Sequence, residues 1–293
     1  MATGRIGLWL IGAKGGVATT VMTGLAAMNR GLVEPIGLIT ETSAFHPLNL
    51  AHCSDIVVGG HDIRDEGLLN EARRMWTVSR AISPDILESV TPDLLDIETR
   101  LRPGTVLAAG KSIQAIASSP ESKKGTTPRN VIDQIREDIV DFADTNDVDR
   151  IIVVNLASTE PPWSLPIPND FDELSPLLEK STDSSPLPTS SLYAIAAFEA
   201  NAAYINFTPS TGATPPAINE LAQNLCLPHA GCDGKTGETL LKSVLAPMFR
   251  DRHLSVKSWV GHNIFGNLDG KILDNPSNKA AKVRSKDHLL ASL

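Results

Sequence analysis

Short, continuous apolar runs alternate along this chain with segments whose apolar residues recur every three or four positions. Ile6 to Ile11 is such a run and predicts a strand buried on both faces. The glycine-rich stretch Gly12 to Thr20 predicts a turn, and Val21 to Met28 a helix. Pro35 to Thr40 and Ser54 to Val58 predict the second and third strands, the latter ending at Gly59-Gly60-His61-Asp62. A helix is expected over Glu66 to Arg80, with Leu68, Leu69, Ala72 and Met75 on one side, and another strand over Thr105 to Ala109. Val131, Ile135, Ile139 and Phe142 mark the buried side of a helix from about Arg129 to Asp144, and Asp149 to Leu156 is a very apolar strand. This alternation predicts an α/β fold with a doubly wound parallel sheet.

Pro161 to Thr189 breaks the rhythm with seven prolines and many serines, which predicts an excursion or lid over one edge of the sheet. The alternation resumes with a helix over Ser191 to Asn201, a strand over Ala203 to Phe207 and a helix over Pro216 to Cys226. Beyond Pro228 the character changes. Gly231-Cys232-Asp233-Gly234-Lys235-Thr236-Gly237 reads as a turn opening a helix in which Leu241, Val244, Leu245 and Met248 recur at helical spacing. A strand is expected over Ser255 to Val260, then a polar loop over Gly261 to Gly270 and a basic tail.

The composition is that of a globular protein, with 42% hydrophobic and 20% charged residues among 293. A formal charge of −8 argues against bulk nucleic-acid binding. The three cysteines, Cys53, Cys226 and Cys232, lack metal-type spacing and suit a reducing cytoplasm, so no metal site is assigned. No run of about 18 apolar residues predicts a membrane span, and the first residues do not resemble a signal peptide.

Two segments carry candidate chemistry. Gly12-Ala13-Lys14-Gly15-Gly16-Val17-Ala18-Thr19-Thr20 lies between a predicted strand and a predicted helix, the context of a dinucleotide turn. Gly12, Gly15 and Gly16 allow a tight turn and close approach to a pyrophosphate, and Ala18 allows close helix–strand packing; Lys14 stands where the usual second glycine would be. Glu41 and Asp62 are alternative carboxylates for the adenosine ribose. Ser158-Thr159-Glu160 and Thr208-Pro209-Ser210-Thr211 follow strands where ligands bind in such sheets, or else cap nearby helices. The second segment is Gly231 to Lys242, a helix start suited to an anion, with Lys235 and Lys242 adding charge. It is not a triphosphate loop, because His229 stands where that pattern needs a glycine.

Together these segments resemble the NAD-dependent myo-inositol-1-phosphate synthases, over almost the whole chain. The first turn is similar to the Gly-Ala-x-Gly-x-Val-Ala-Thr-Thr loop of the family's shorter prokaryotic branch. Val57 to Ile63 resembles its Gly-Trp-Asp-Ile segment, Val154 to Glu160 its strand ending in Ser-Thr-Glu, and Ala203 to Pro209 its Tyr-Ile-Asn-x-Ser-Pro strand. Gly231 to Thr239 is similar to Gly-Asp-Asp-x-Lys-Ser-Gly-Gln-Thr, Gly261 to Gly270 to Ser-Tyr-Asn-His-Leu-Gly-Asn-x-Asp-Gly, and Lys282 to Lys286 to Lys-x-x-Ser-Lys.

The resemblance implies a Rossmann-type NAD domain over residues 1–228 and, over 229–293, the start of an α+β catalytic and oligomerisation domain. It implies conversion of D-glucose 6-phosphate to myo-inositol 1-phosphate: hydride removal from C5, aldol closure of C6 onto C1, and return of the hydride. It assigns NAD to Gly12, Ala13, Gly15, Gly16, Val17, Ala18, Thr19, Asp62, Ser158 and Thr159. Lys282 aligns with a lysine of proton transfer and oxyanion stabilisation, and Lys286 with a second active-site lysine. Thr236 and Lys242 fall to the phosphate, and Asp233, Asn263, Asn267 and Asp269 to the sugar hydroxyls or to orienting the lysines. A cytoplasmic homotetramer with a sugar-phosphate substrate, in inositol and phospholipid biosynthesis, is implied as well. The family pattern continues past the point matching Leu293, so the expectation is a fragment or a shortened relative with an incomplete second domain, binding NAD poorly and not turning over. A sugar-phosphate or polyol dehydrogenase on the same fold, or a non-catalytic nucleotide-binding relative, are the competing readings.

Overall fold

The computed structural model describes residues 4–118, 126–180, 185–234, 237–260 and 275–276. Among the described residues six strands form one sheet: β1 (Ile6–Ile11), β2 (Ile56–Asp62), β3 (Leu101–Pro103), β4 (Arg150–Asn155), β5 (Ala203–Asn206) and β6 (His229–Ala230). Their order is β3-β2-β1-β4-β5-β6, and every neighbouring pair is parallel. Ile11, at the carboxyl end of the central strand, lies opposite His61 on β2 and Asn155 on β4. The order therefore reverses direction between β1 and β4, where a crevice opens at the carboxyl ends.

Both faces are covered, as a parallel sheet requires. Successive side chains on β1 point to opposite sides: Leu10 joins the core under α1 (Gly16–Asn29), α2 (Leu68–Ser79) and α3 (Pro84–Glu98). Trp9 and Ile11 join the other core. Short α4 (Lys111–Gln114) follows β3, and α5 (Pro128–Thr145), α6 (Phe171–Leu178), α7 (Thr189–Glu199) and α8 (Pro216–Asn224) cover that second face. Helix α9 (Gly237–Asp251) leaves Leu240, Leu241 and Val244 exposed. Helix starts follow local chemistry. Ser83 accepts the Ile86 amide ahead of Pro84, and Thr127 and Asn130 form a reciprocal cap ahead of Pro128.

Four expectations need correction. Pro35 to Thr40 is not a strand: Gly37 has a φ of +90°, residues 39–41 form a 3-10 turn, and Ile36 is 91% exposed. The second strand is instead Ile56–Asp62. Thr105 to Ala109 is a turn, with Ala108 at a φ of +61°, and the strand lies earlier, at Leu101–Pro103. Ser255 to Val260 is not a strand: it has neither regular secondary structure nor a pairing partner among the described residues. The proline-rich excursion is firmer than a lid in its described part, since Leu174, Leu178 and Leu187 are fully buried in the second core. Helix α3 adds an element that the strand–helix reading above lacks, although Leu87, Val90, Leu94 and Ile97 carry its spacing.

Candidate functional site

The turn after β1 is held from the β2 side. The amides of Gly12 and Ala13 both donate to the His61 carbonyl, at 2.9 and 3.0 Å, and the Lys14 amide donates to Asp62 Oδ2 at 2.7 Å. The Gly15 amide closes back onto the Gly12 carbonyl at 2.9 Å. Gly12 is obligatory on two counts. Its φ is +80°, and a Cβ there would sit 2.8 Å from Ala157 Cα in the loop after β4. The first helical bond of α1 runs from the Thr19 amide to the Gly15 carbonyl, so the amides of Gly16, Val17 and Ala18 have no acceptor within the helix. No side chain caps this end and no acidic residue lies in its first turn. The helix thus presents N–H groups and the positive end of its dipole to the crevice.

Asp62 is 7% exposed and sits at the end of β2, the strand next to the turn. Its other oxygen accepts the Arg64 amide at 2.9 Å. Arg64 pairs with Asp62 and Glu71, and donates to the Lys14 carbonyl. Lys14 Nζ donates to the Arg64 carbonyl at 3.2 Å. Glu41 lies on the exposed 3-10 turn, which follows α1 and not a strand. Of the two carboxylates considered for the ribose, Asp62 therefore holds the matching place in the sheet.

His61 is anchored by its ring as well as its carbonyl. Trp9 Nε1 donates to His61 Nδ1 at 2.9 Å, and His61 Nε2 lies 3.0 Å from Asp138 Oδ2. An indole nitrogen only donates, so Nδ1 is the acceptor and the ring proton sits on Nε2, directed at the carboxylate. Burial holds the imidazole pKa below its usual value despite Asp138.

At the ends of β4 and β5 two asparagines turn the chain in the same way. Asn155 Oδ1 accepts the Ala157 amide at 3.1 Å, and Asn206 Oδ1 accepts the Thr208 amide at 3.1 Å. The two residues are register partners, joined by Asn155 Nδ2 to Asn206 Oδ1 at 3.3 Å. The first loop carries Ser158, half-buried, and Thr159, buried, and ends at Glu160. Glu160 is 5% exposed and accepts the Ser190 amide at 2.8 Å and the Ser190 hydroxyl at 2.5 Å, at the start of α7. Burial pushes this carboxyl up to about 7, against the lowering effect of the hydroxyls around it.

The Gly231 segment abuts the same edge. The Gly234 amide donates to the Phe207 carbonyl at 3.3 Å, and a Cβ on Gly231 would lie 2.5 Å from the Asn206 carbonyl oxygen. Asp233 is half-buried with a φ of +79°. Lys242 is 4% exposed, with Nζ 5.8 Å from the centre of the Trp259 ring. Thr236, Asn263, Asn267, Asp269, Lys282 and Lys286 lie outside the described residues. The structure thus gathers Gly12 to Thr19, Asp62, Ser158, Thr159 and Asp233 along the carboxyl edge of one sheet. Sequence reasoning left out the supports of these residues: His61, Asn155, Asn206 and Ser190. The asparagine that ends each of two strands was the one visible signal.

The cradle fits a dinucleotide. The uncapped α1 start, the close backbone approach at Gly12 and a buried Thr19 hydroxyl without a hydrogen-bond partner are each what a pyrophosphate would use or require. Fold and site together define a doubly wound protein of the NAD-binding class.

The comparisons carry this further. Residues 6–292 match an NAD-binding family model described as myo-inositol-1-phosphate synthase. The chain belongs to that family. It is 32% identical to inositol-3-phosphate synthase 1 of Bacteroides thetaiotaomicron, over 97% of this chain and 67% of that protein. Identity to the inositol-3-phosphate synthase of Dictyostelium discoideum is 28%, over 98% of this chain and 60% of that one. The crystal structure of inositol-3-phosphate synthase from Caenorhabditis elegans shares the fold, with a TM-score of 0.79 at 21% identity, over 97% of this chain and 59% of that one. The chain thus spans roughly three fifths to two thirds of the length of these relatives. Among the described residues, no helix is long and apolar enough to cross a membrane.

Proposed function

We propose that the protein takes part in the isomerisation of D-glucose 6-phosphate to myo-inositol 1-phosphate, with NAD as the internal redox carrier. One observation carries the reading. The dinucleotide turn and the Gly231–Gly234 segment lie along the same carboxyl edge, the latter fastened to the end of β5 by the Gly234 amide. Three strand spacings separate β1 from β6, about 14 Å, which is within the span of an extended dinucleotide.

In this reading the amides of Gly16, Val17 and Ala18 hold the pyrophosphate, with Gly12, Ala13, Gly15 and Thr19 shaping the cradle. Asp62 holds the turn and faces the adenosine ribose, and Ser158 and Thr159 face the nicotinamide side. NAD, when bound, supplies the acceptor and later the donor of the C5 hydride. Lys282 and Lys286 would move the C6 proton and stabilise developing oxyanion charge. Thr236 and Lys242 would hold the phosphate. Asp233, Asn263, Asn267 and Asp269 would bind sugar hydroxyls or orient the lysines. Residues 1–228, with β6 added to their sheet, form the NAD domain, and the rest begins a catalytic and oligomerisation domain. A homotetramer in the cytoplasm completes the reading, on the family resemblance alone.

The test is incubation of a form of the protein that spans the length of its relatives with glucose 6-phosphate and NAD, following inositol phosphate and NADH together. Inositol phosphate without net NADH is expected, and Lys282→Ala and Lys286→Ala should each abolish it while changing NAD affinity little. Steady NADH accumulation would instead establish a dehydrogenase. Ligand binding without turnover, unaltered in both lysine variants, would establish a non-catalytic relative.

A further inference from the structure

Glu160 is buried, ionisable and unused by the reaction described above. Its surroundings are specific. The Ser190 amide and hydroxyl both donate to its carboxylate, from the first turn of α7. The Thr189 and Ser210 hydroxyls also favour its charged form. The Glu160 amide itself donates to Ser210 Oγ at 3.0 Å, in the loop between β5 and α8. Ser190 Oγ accepts the Gly212 amide from that same loop, also at 3.0 Å. Glu160 and Ser190 together therefore tie the loop after β4, the start of α7 and the loop after β5. Three residues before it, Ala157 packs against Gly12 of the dinucleotide turn.

We propose that Glu160 is a positioning residue whose ionised carboxylate holds the Ala157–Thr159 loop in the NAD-binding conformation, so that cofactor affinity depends on its charge. This rests on the reading of Gly12–Thr19, Ser158 and Thr159 as the cofactor site. The Ser190 amide, the Ser190 hydroxyl and the dipole of α7 all complement negative charge. A protonated carboxyl must itself donate; the Ser190 amide cannot accept, and Ser190 Oγ, which also accepts from Gly212, takes that proton only by turning its own O–H away from the carboxyl. Protonation thus exchanges charge-assisted bonds for weaker neutral ones at the point where the three segments are tied. The other titratable groups facing the carboxyl are the buried Tyr193 and Tyr204 phenols, both pushed to higher pKa by burial, so they stay neutral. Among the described residues no ion pair reaches Glu160. The buried His61, beside the turn, is held below its usual pKa and stays neutral above pH 6.5.

The experiment is equilibrium titration of the whole chain with NAD between pH 6 and 8, with circular dichroism to check the fold. If only the charged form binds and the carboxyl titrates near 7, wild-type affinity falls about tenfold from pH 8 to pH 6. Glu160→Gln should bind several-fold more weakly at pH 8 and lose this pH dependence. Ser190→Ala removes one donor and should move the wild-type limb to higher pH; it keeps the test open if Glu160→Gln does not fold. Affinity that is flat with pH in the wild type, a Glu160→Gln profile that superimposes on the wild type, or an unmoved limb in Ser190→Ala would each overturn the proposal. Absence of NAD binding by the wild type at every pH would instead overturn the cofactor-site reading on which it stands.

Discussion

The Asp62 carboxylate accepts the Lys14 main-chain amide at 2.7 Å, across the carboxyl ends of β2 and β1. With the Gly12 and Ala13 amides on the His61 carbonyl, three successive N–H groups of the turn are spent on β2. The amides left over are those of Gly16, Val17 and Ala18, at the helix start. The turn is therefore shaped by its neighbour strand without any ligand, and a pyrophosphate bound as proposed would meet a fixed row of donors.

Asp62→Ala removes the acceptor of two main-chain amides, those of Lys14 and Arg64. Hydrogen bonds to a charged group are worth about 1.5–3 kcal/mol each, and Arg64 also loses a partner. The variant should bind NAD at least tenfold more weakly and melt at lower temperature. Calorimetric titration and a thermal melt measure both, and unchanged affinity would remove Asp62 from the cofactor site.

Gly12→Ala places a Cβ against the Ala157 backbone in a residue whose φ is +80°. The strained conformation alone costs on the order of 1–3 kcal/mol. Relief comes only by moving the turn or the loop after β4, and both line the crevice. NAD affinity should fall by an order of magnitude or more, whereas Gly24→Ala, where a Cβ meets nothing within 4 Å, should have no such effect. Equal losses in the two variants would argue against a special role for Gly12.

Much of this arrangement was written in the chain, and the failures are instructive. Ile6–Ile11 and the run into Asn155 are long enough, and apolar enough, to have no other home than the centre of a parallel sheet. Pro35 to Thr40 is equally apolar by composition, but it never finds a partner strand, and hydrophobicity by itself does not reveal pairing. His229–Ala230 is only two residues long, and its strand identity comes from β5. The candidate site was legible where it is local, as in Gly12 to Thr19. Contacts such as Lys14 with Asp62 and Glu160 with Ser190 span 48 and 30 residues, and exist only once the sheet has formed.

Asn206→Ala tests the asparagine turn at the end of β5. The side chain accepts the Thr208 amide and hydroxyl, and donates to the Ser210 carbonyl at 2.7 Å. All of these groups are buried, so truncation strands them without solvent, at about 1–3 kcal/mol for each unsatisfied group. The expected loss is about 2–4 kcal/mol of folding stability, read from the urea midpoint. Asn206→Asp keeps the acceptor but not the donor to Ser210, and should also buckle the turn by burying a charge. A loss below about 0.5 kcal/mol in Asn206→Ala would show that the turn does not need this residue.

Two buried groups should bend the stability–pH curve in opposite directions. His61 has its pKa lowered on folding, so below about 6.5 the unfolded chain binds the extra proton and stability falls with pH. Protonation in place would also set an N–H on Nδ1 against the Trp9 indole N–H. Glu160 is raised from 4.5 to about 7, so the folded chain binds the extra proton and its contribution is full below 4.5 and lost as pH rises through about 7. A shift of that size corresponds to roughly 3 kcal/mol across the window. His61→Gln keeps an acceptor for Trp9 and a donor for Asp138 but cannot titrate, so its urea midpoint should gain on the wild type as pH falls from 7 to 5. Glu160→Gln should do the reverse, falling behind the wild type over the same interval and gaining on it above pH 7. Midpoints measured every half unit from pH 5 to 8 separate the two groups. Curves parallel to the wild type in both variants would mean that neither ring nor carboxyl changes its proton affinity on folding.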